Sequence, residues 1–505
     1  MSPTTRARRV LLLEFNELTY TIIDPLIERG KLPNFAKLKR EGTWSAPDAV
    51  ERPPHLDPWI TWVTVHTGVD SSQHGAFVLE QDSDTIRAKR SWDYAVEAGK
   101  SVGIFGSISA YPPRPVPGFM IPGPFAPSND TYPPYAAPIQ ALNRKYTQVH
   151  QKNEKEDSIF DMMKRGVDLL GLGLKPATCA RIARQLAHEK IDPHVKWRRV
   201  CLQPLINFDF FEALYKRYQP DYATWHTNHA AHYMHHYWRA WDDSKFLGPA
   251  SPEEKKHYGK AVEYGYEIAD ELLGRFVQLV DRDTVLILKT SMGQQPFAKE
   301  MYKDGKIVVR FKNFERFLQT AGIEGASDLV PTMIPQWNVR FKDAEQRKRA
   351  IDRLEGIRAV GATFERGVSV EENGEILTVT PFGLAKREGE IRYFLDRTPG
   401  AKKEGYLIEE LFAVDTPTPK EGYHHPTGVL MMWGEGISKG LHLERTTNLD
   451  IAPTILSLMN VPIPDAMEGN VLSEAWGEVS PRPRIEWTEP TKPAEHDAPV
   501  VGEVP

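Results

Sequence analysis

The sequence predicts an α/β fold with a mostly parallel central sheet flanked by helices. Short, continuous apolar runs recur at Val10–Phe15, Lys100–Gly106 and Thr284–Lys289. Each has the length and character of a strand buried on both faces. Segments of helical period separate them, and this alternation is what a parallel sheet with crossover helices requires. Polar residues come directly after the apolar runs: Glu14, Asn16 and Glu17 at the first, Asn228 after a similar run at Asp221–Thr227, and Thr290, Ser291 and Met292 at another. Ligands of open α/β sheets gather outside the carboxyl ends of the strands, so these positions are where chemistry is expected.

The remaining elements are read from local signals. Ile22–Gly42 reads as helical, broken by Gly30 and Pro33. Pro58–Thr67 is an apolar helix that starts at Asp57-Pro58, a capping pair, and stops at Gly68. Residues 111–138, dense in proline, glycine and aromatic residues, read as an irregular ordered loop, and 139–220 as charged and helical. A helix is expected over Asn228–Asp242, a single amphipathic helix over Ser251–Val280, and a short strand at Lys306–Arg310. Residues 331–382 read as a smaller α+β unit, with a charged helix (Asp343–Arg358) and a hairpin turning at Asn373-Gly374. A strand is expected at Val429–Trp433 and a helix at Asn448–Met459, and the proline-rich, charged tail from Ser480 is expected to be disordered.

Composition narrows the function. The 505 residues, 41% apolar and 26% charged, suffice for a real core. A net charge of -5 excludes a chain built to coat nucleic acid. The apolar run Val10–Leu13 is far shorter than the roughly 7–15 residues of a signal peptide's core. No stretch approaches the roughly 20 apolar residues of a spanning helix. A cytoplasmic chain without a membrane partner is expected. Cys179 and Cys201 are the only cysteines, too few for a disulfide framework or a thiolate metal site. Histidine is abundant, with sixteen in all and five within 226–236.

Several residues are candidates for a site. Glu14, with Asn16 and Glu17 in the same turn, offers carboxylates for metal binding or proton transfer. Asp57 either caps the helix behind it or faces a pocket at that helix's N-terminus, where an anionic substrate is also welcome. Asn228, His232 and His235 or His236 are spaced i, i+4 and i+7 or i+8, so one helix face carries them, and paired histidines at i, i+4 are a metal-ligand spacing. The competing reading is an aromatic helix packing Tyr233, Tyr237, Trp238 and Trp241. His424-His425-Pro426 is expected in a loop before the strand at Val429.

These motifs together resemble the alkaline phosphatase superfamily, in particular its type I phosphodiesterase and nucleotide pyrophosphatase branch. LLLEFNELTYTIIDPLIERGKLPNFAKLKREGT is similar to that branch's first strand, metal-binding carboxylate and adjoining helix. WVTVHTGVDSSQHGAF (Trp62–Phe77) resembles the helix after its nucleophile, with His74 at a structural landmark, and VPGFMIPGPFAP (Val116–Pro127) resembles one of its loops. HHPTGVLMMWGEGI and NLDIAPTILSLMNVPIPDAMEGNVL resemble its C-terminal end. The likeness runs from about residue 10 to 475 and is weakest over 139–220 and 298–420. It implies an alkaline-phosphatase-like core over 1–138, 221–297 and 421–479, a helical insertion at 139–220, an α+β cap insertion at 298–420 and a tail over 480–505.

The resemblance also implies a two-metal site with a Thr or Ser nucleophile, and here that set is altered. The first carboxylate falls on Glu14. The nucleophile falls on Asp57 or Pro58, so no hydroxyl stands there. An Asp-x-x-x-His pair falls on Ala231 and His235, and a Ser-Asp-His-Gly motif on Thr290-Ser291-Met292-Gly293. The last histidine falls on His424. The resemblance implies Glu14, His235 and His424 as metal ligands with Asp57 as a fourth. With the reading of the residues themselves, the expected metal ligands are Glu14, Asp57, His235, His424 and His232, and the expected catalytic groups are Asp57, Glu17 and Asn228. Asn228, His229 and His232 are the residues available to compensate for the missing aspartate, and Arg52, Arg114 and Lys289 are the nearest basic residues in sequence. One divalent ion (zinc, or iron or manganese) is expected, with a small anionic substrate bearing phosphate or sulfate, while oligomeric state is left open. The expected activity is that of a hydrolase or transferase. The alternatives are a mononuclear non-haem iron enzyme on a two-histidine, one-carboxylate site, and a non-catalytic binding protein that keeps the fold.

Overall fold

The computed structural model describes residues 8–53, 55–77, 79, 81–148, 169–297, 307–331, 336–384, 389–414 and 421–478. The chain divides into two compact units, one holding the described residues within 1–244, 250–296 and 422–497, the other those within 245–249 and 297–421.

The first unit is built on an eight-stranded sheet. Its strands are β1 (Arg9–Phe15), β2 (Thr43–Ser45), β3 (Val102–Phe105), β4 (Gly118–Ile121), β5 (Tyr222–Thr227) and β6 (Thr284–Lys289), then, after a separate ribbon of β7 (Gly293–Pro296) and β8 (Gly422–His425), β9 (Leu430–Trp433) and β10 (Leu441–Leu443). The spatial order is β10-β2-β9-β6-β1-β5-β3-β4. β9 runs against its neighbours and the other strands run together, so the mixed α/β class with a mostly parallel sheet is what the chain adopts. β1 is flanked by β5 and β6, and its Leu11, Leu12 and Leu13 have no exposed surface, as the unbroken apolar run requires.

The helices of this unit that matter for the site are α1 (Tyr20–Glu28), α2 (Pro33–Glu41), α3 (Pro58–Thr67), α4 (Pro176–Ile191), α5 (Leu202–Tyr218), α6 (His229–Trp241), α7 (Pro252–Tyr258), α8 (Ala261–Leu279) and α9 (Ile451–Leu458). α3 is buried on every side, which explains why its sequence shows no polar stripe. Its threonines satisfy themselves along the helix, Thr61 Oγ1 donating to the Asp57 carbonyl and Thr67 Oγ1 to that of Val63. Among the described residues no helix is long and apolar enough to cross a membrane.

The structure departs from the sequence reading in places with physical causes. Ser251–Val280 is two helices, because a Ser251–Glu254 capping box starts α7 and the chain leaves it at Gly259 before α8 begins. The proline-rich loop contains β4, which lies at the sheet edge, where flanking prolines are tolerated. β2 and β10 span three residues each, too short to leave a period of two. His424 and His425 lie on β8, paired antiparallel with β7, and not in a loop. The hairpin of the second unit turns at Gly374-Glu375, one residue later than read, because Asn373 still pairs with Ile376. The tail beyond 478 and residues 149–168 of the helical stretch lie outside the described residues.

The second unit has its own core. Val368–Asn373, Ile376–Pro381, Trp337–Arg340 and Ser327–Pro331 form a four-stranded antiparallel sheet in that order. The helix Ala344–Glu355 buries Ala350 and Leu354 in a cluster with Phe314, Phe317, Tyr393 and Phe412.

Candidate metal centre

β1 ends at Phe15, and the next two residues build the centre. Asn16 donates its N–H to the Thr227 carbonyl at 2.9 Å, tying the turn to the end of β5. Its Nδ2 donates to Glu17 Oε1 and to Asn228 Oδ1, each at 2.8 Å, and its Oδ1 accepts from Trp62 Nε1 at 2.9 Å. Glu17 sits at φ 62°, a left-handed backbone uncommon outside glycine. The turn thereby lifts the Glu17 side chain toward α6 and the β7–β8 ribbon.

Three groups meet at Glu17 Oε2. His235 Nε2 lies 3.2 Å away, His424 Nε2 lies 3.7 Å away, and Gln294 Nε2 donates a hydrogen bond. Glu17, His235 and His424 offer ligand atoms that all fall within 4.8 Å of one another, a grouping that could hold a metal ion. Each ring is anchored through its other nitrogen. His235 Nδ1 donates to the Gly422 carbonyl at 3.1 Å and His424 Nδ1 to the Leu56 carbonyl at 2.8 Å. That is the arrangement in which outer partners fix the tautomer and aim the free nitrogen at a metal. Burial alone would raise the Glu17 pKa. The facing His424 and His235, with hydrogen bonds from His235 and Gln294, hold it down at about 2.

Asp57 stands beside this group, Oδ1 3.3 Å from His424 Nδ1. It occupies the N-cap position of α3, yet its side chain makes no capping bond, so the carboxylate is left for other work. Trp59 N–H, in the first turn of α3, has no acceptor among the described residues.

Glu14 is elsewhere. It pairs in register with His226 across β1 and β5, so the two side chains share a sheet face. Its Oε1 accepts from Ser107 Oγ at 2.7 Å and faces His66 Nε2 at 3.3 Å, and its Oε2 faces His226 Nδ1 at 3.2 Å. Burial is complete and would raise the Glu14 pKa, but His66 and His226 bring it down to about 2. Both carboxylate oxygens are committed to these partners, so Glu14 does not join His235 and His424. Trp62 divides the two clusters, packing on His66 and edge-on to His226 while bonding Asn16.

The other expected residues have different duties. Asn228 serves Asn16 and not a reacting group. His229 accepts from Thr227 Oγ1 at Nδ1 and donates from Nε2 to the Gly265 carbonyl, and burial lowers its pKa to about 4, so it acts as a neutral clamp between α6 and α8. His232 packs against His236 with ring centroids 4.5 Å apart and is outside the Glu17 group. Ser291 Oγ is hydrogen-bonded to Thr61 Oγ1, and Met292 lies in an apolar cluster with Ala49 and Leu56, so the positions where the resemblance expects two ligands pack against the α3 region. Arg52 is paired with Asp48, Arg114 with Asp93, and buried Lys289 donates to Asn448 Oδ1.

Reading the sequence missed Gln294 and His66. Gln294 pairs with His424 in the β7–β8 register, a link invisible while 424 reads as loop. His66 had a signal, a histidine one turn after Trp62 in an otherwise apolar helix.

No known family model matches the sequence, and no curated protein matches it. Among solved structures, the chain is similar to human ectonucleotide pyrophosphatase/phosphodiesterase 5 at 12% identity, covering 94% of this chain and 100% of that one, with a TM-score of 0.41. It is similar also to the murine protein in an inactive form bound to AMP, at 12% identity, 90% and 96% coverage and a TM-score of 0.38. At such identity and score the likeness bears no weight for the chemistry, which rests on the site's own atoms.

This geometry has three testable consequences. Glu14→Ala removes the carboxylate between two buried imidazoles and is expected to cost about 3–5 kcal/mol in urea unfolding at neutral pH, whereas a loss below about 1 kcal/mol would contradict the pairing. Glu14 and Glu17 both titrate near 2 in the folded chain against an ordinary 4.5. Their stabilisation is therefore complete above pH 4.5 and lost as pH falls toward 2. Glu14→Gln should flatten that part of the stability profile, and an unchanged slope would refute the assignment. A Cβ on Gly422 would collide with Gln294 Oε1 and come within 2.8 Å of the Met234 carbonyl, whereas one on Gly171 meets nothing. Gly422→Ala should thus cost about 1–3 kcal/mol and Gly171→Ala almost nothing, as thermal unfolding would show.

Proposed function

We propose that this chain holds one divalent ion at Glu17, His235 and His424 and acts on a small metabolite bearing a phosphate or sulfate ester. The observation that carries the reading is the convergence of two imidazole Nε2 atoms on one buried carboxylate, each ring locked through Nδ1 by a backbone carbonyl. Two imidazoles and a carboxylate suit zinc, iron(II) or manganese. Bound here, such an ion would supply Lewis acidity and a water of lowered pKa.

The chain's own groups account for the rest. Asn16 and Gln294 keep the Glu17 carboxylate in place. Asp57, uncommitted as a cap, is positioned to accept a proton from an attacking water or hydroxyl, or to attack the ester itself. The first turn of α3 presents an unsatisfied N–H where an ester anion would be favoured. The sequence resemblance to phosphodiesterases supports ester chemistry over other uses of the same donors. One observation favours a second reading: two histidines with one carboxylate is also the donor set of non-haem iron sites for oxygen chemistry.

Metal analysis of the purified chain, paired with assays on aryl phosphate mono- and diesters and an aryl sulfate, separates these readings. About one zinc or manganese per chain is expected, lost in His424→Ala with the fold retained. Asp57→Asn should keep the metal and lower turnover by roughly 10²–10⁴. Two zinc ions per chain would refute a single-ion site. One iron without esterase activity would favour the iron reading, and a metal-free chain would leave a binding protein.

A further inference from the structure

A cavity of about 270 Å³ lies among α4, α5 and α8, lined by Ala177, Thr178, Arg181, Arg184, Leu205 and Arg275. Half of its lining residues are arginines, and none of the residues of the candidate metal centre contributes. The carboxylates nearby do not balance them. Glu271 is shared, bonding Arg181 Nη1 at 2.8 and 2.9 Å and facing Arg275 Nη2 at 3.2 Å. Asp209 gives Oδ2 to the Lys175 N–H, leaving Oδ1 4.0 Å from Arg275 Nη1. That Nη1 is buried and has no hydrogen-bond acceptor among the described residues. Arg184 has no ion-pair partner among the described residues. Three guanidinium groups therefore face two carboxylates, one of them divided and the other at the limit of contact.

The rest of the wall adds to this surplus. Ala177 and Thr178 belong to the first turn of α4, whose N-cap Lys175 supplies no side-chain cap, so their N–H groups lack intrahelical acceptors. Arg181 comes one turn on and Arg184 two turns on along the same face. A buried donor without an acceptor is unfavourable, and an oxyanion would satisfy it. At about 270 Å³ the cavity has room for a tetrahedral oxyanion with a small group attached. Guanidinium forks match phosphate oxygens in geometry as well as charge.

We infer that this arginine cavity is a second anion site, selective for a phosphate dianion, free or as the end of a small phosphomonoester. It stands apart from the metal centre. Tyr266, which bonds Thr19 beside the centre, and Arg275 are both on α8, and nine residues of helix separate them by about 14 Å along the axis.

Isothermal titration of the full chain with inorganic phosphate, and in parallel with methyl phosphate, tests this. The variants are Arg184→Ala and the metal-centre double variant His235→Ala/His424→Ala, with chloride at matched ionic strength as the blank. Arg184 is exposed, so its replacement should leave folding intact, which circular dichroism would verify. At least one of the two probes should bind the double variant as it binds the wild type, and Arg184→Ala should bind it at least tenfold more weakly, with Arg184→Lys intermediate. Tighter binding of methyl phosphate would mark a monoester end, and equal binding or a preference for phosphate would mark the free ion. The inference falls if neither probe binds the wild type, if Arg184→Ala binds as the wild type does, or if binding disappears in the double variant.

Discussion

The turn at Asn16-Glu17 is the constraint on which the centre depends. β1 lies between β5 and β6, so the turn after it emerges among the carboxyl ends of the sheet. Asn16 spends its side chain on Glu17, Asn228 and Trp62, which fixes the turn to α6 on one side and α3 on the other. Glu17 then takes a left-handed backbone, a conformation that costs of order 1–3 kcal/mol for a residue with a side chain. The gain is a buried carboxylate on which α6, β7 and β8 all converge through His235, Gln294 and His424.

The two buried glutamates show how neighbouring positions come to different ends. Glu14 is still within the strand, where register places it against His226 and burial is total. An ionised carboxylate there needs a full set of partners, and Ser107, His66 and His226 supply it. That completeness makes Glu14 structural. Glu17 also gains partners, but two of them are rings that reach solvent, with His235 28% and His424 18% exposed at the side chain. The same carboxylate–imidazole chemistry is closed in one case and accessible in the other. Trp62 is the partition between them.

The fold was legible wherever residues buried on both faces wrote continuous apolar runs, and β1 and β6 appear almost to the residue. It was not legible in β2 and β10, where three residues carry no period, or in β4, where prolines argue locally for a loop. For the site, Glu17, Asp57, His235 and His424 could each be named from position after a strand, helix spacing or resemblance. Their grouping could not, because it depends on the β7–β8 pairing that sets His424 opposite Gln294. Glu14 took the ligand role in the sequence reading because resemblance is one-dimensional. Which of two carboxylates three residues apart faces the pocket is decided by strand register and a positive φ, neither of which is written in residue type. The histidine cluster resolves in the same way. Its members serve a buried carboxylate (His226), a helix clamp (His229), a ring pair (His232 and His236) and the centre (His235).

Charge explains why the proposed centre is read as mononuclear. Two divalent ions at the 3.5–4 Å spacing of two-metal sites repel by roughly 17 kcal/mol at an effective dielectric of 20. Bridging and terminal carboxylates must offset that. Here one carboxylate, Glu17, meets the rings, and Asp57 stands behind His424. At the positions where the resemblance expects further anionic and imidazole donors, Ser291 is spent on Thr61 and Met292 on Ala49 and Leu56. Those two side chains cannot be turned outward without opening the packing of the α3 region, so the missing charge is not held in reserve. A single dication needs far less compensation, and Glu17 held ionised by its surroundings, with two imidazoles, is a donor set of the right size for it.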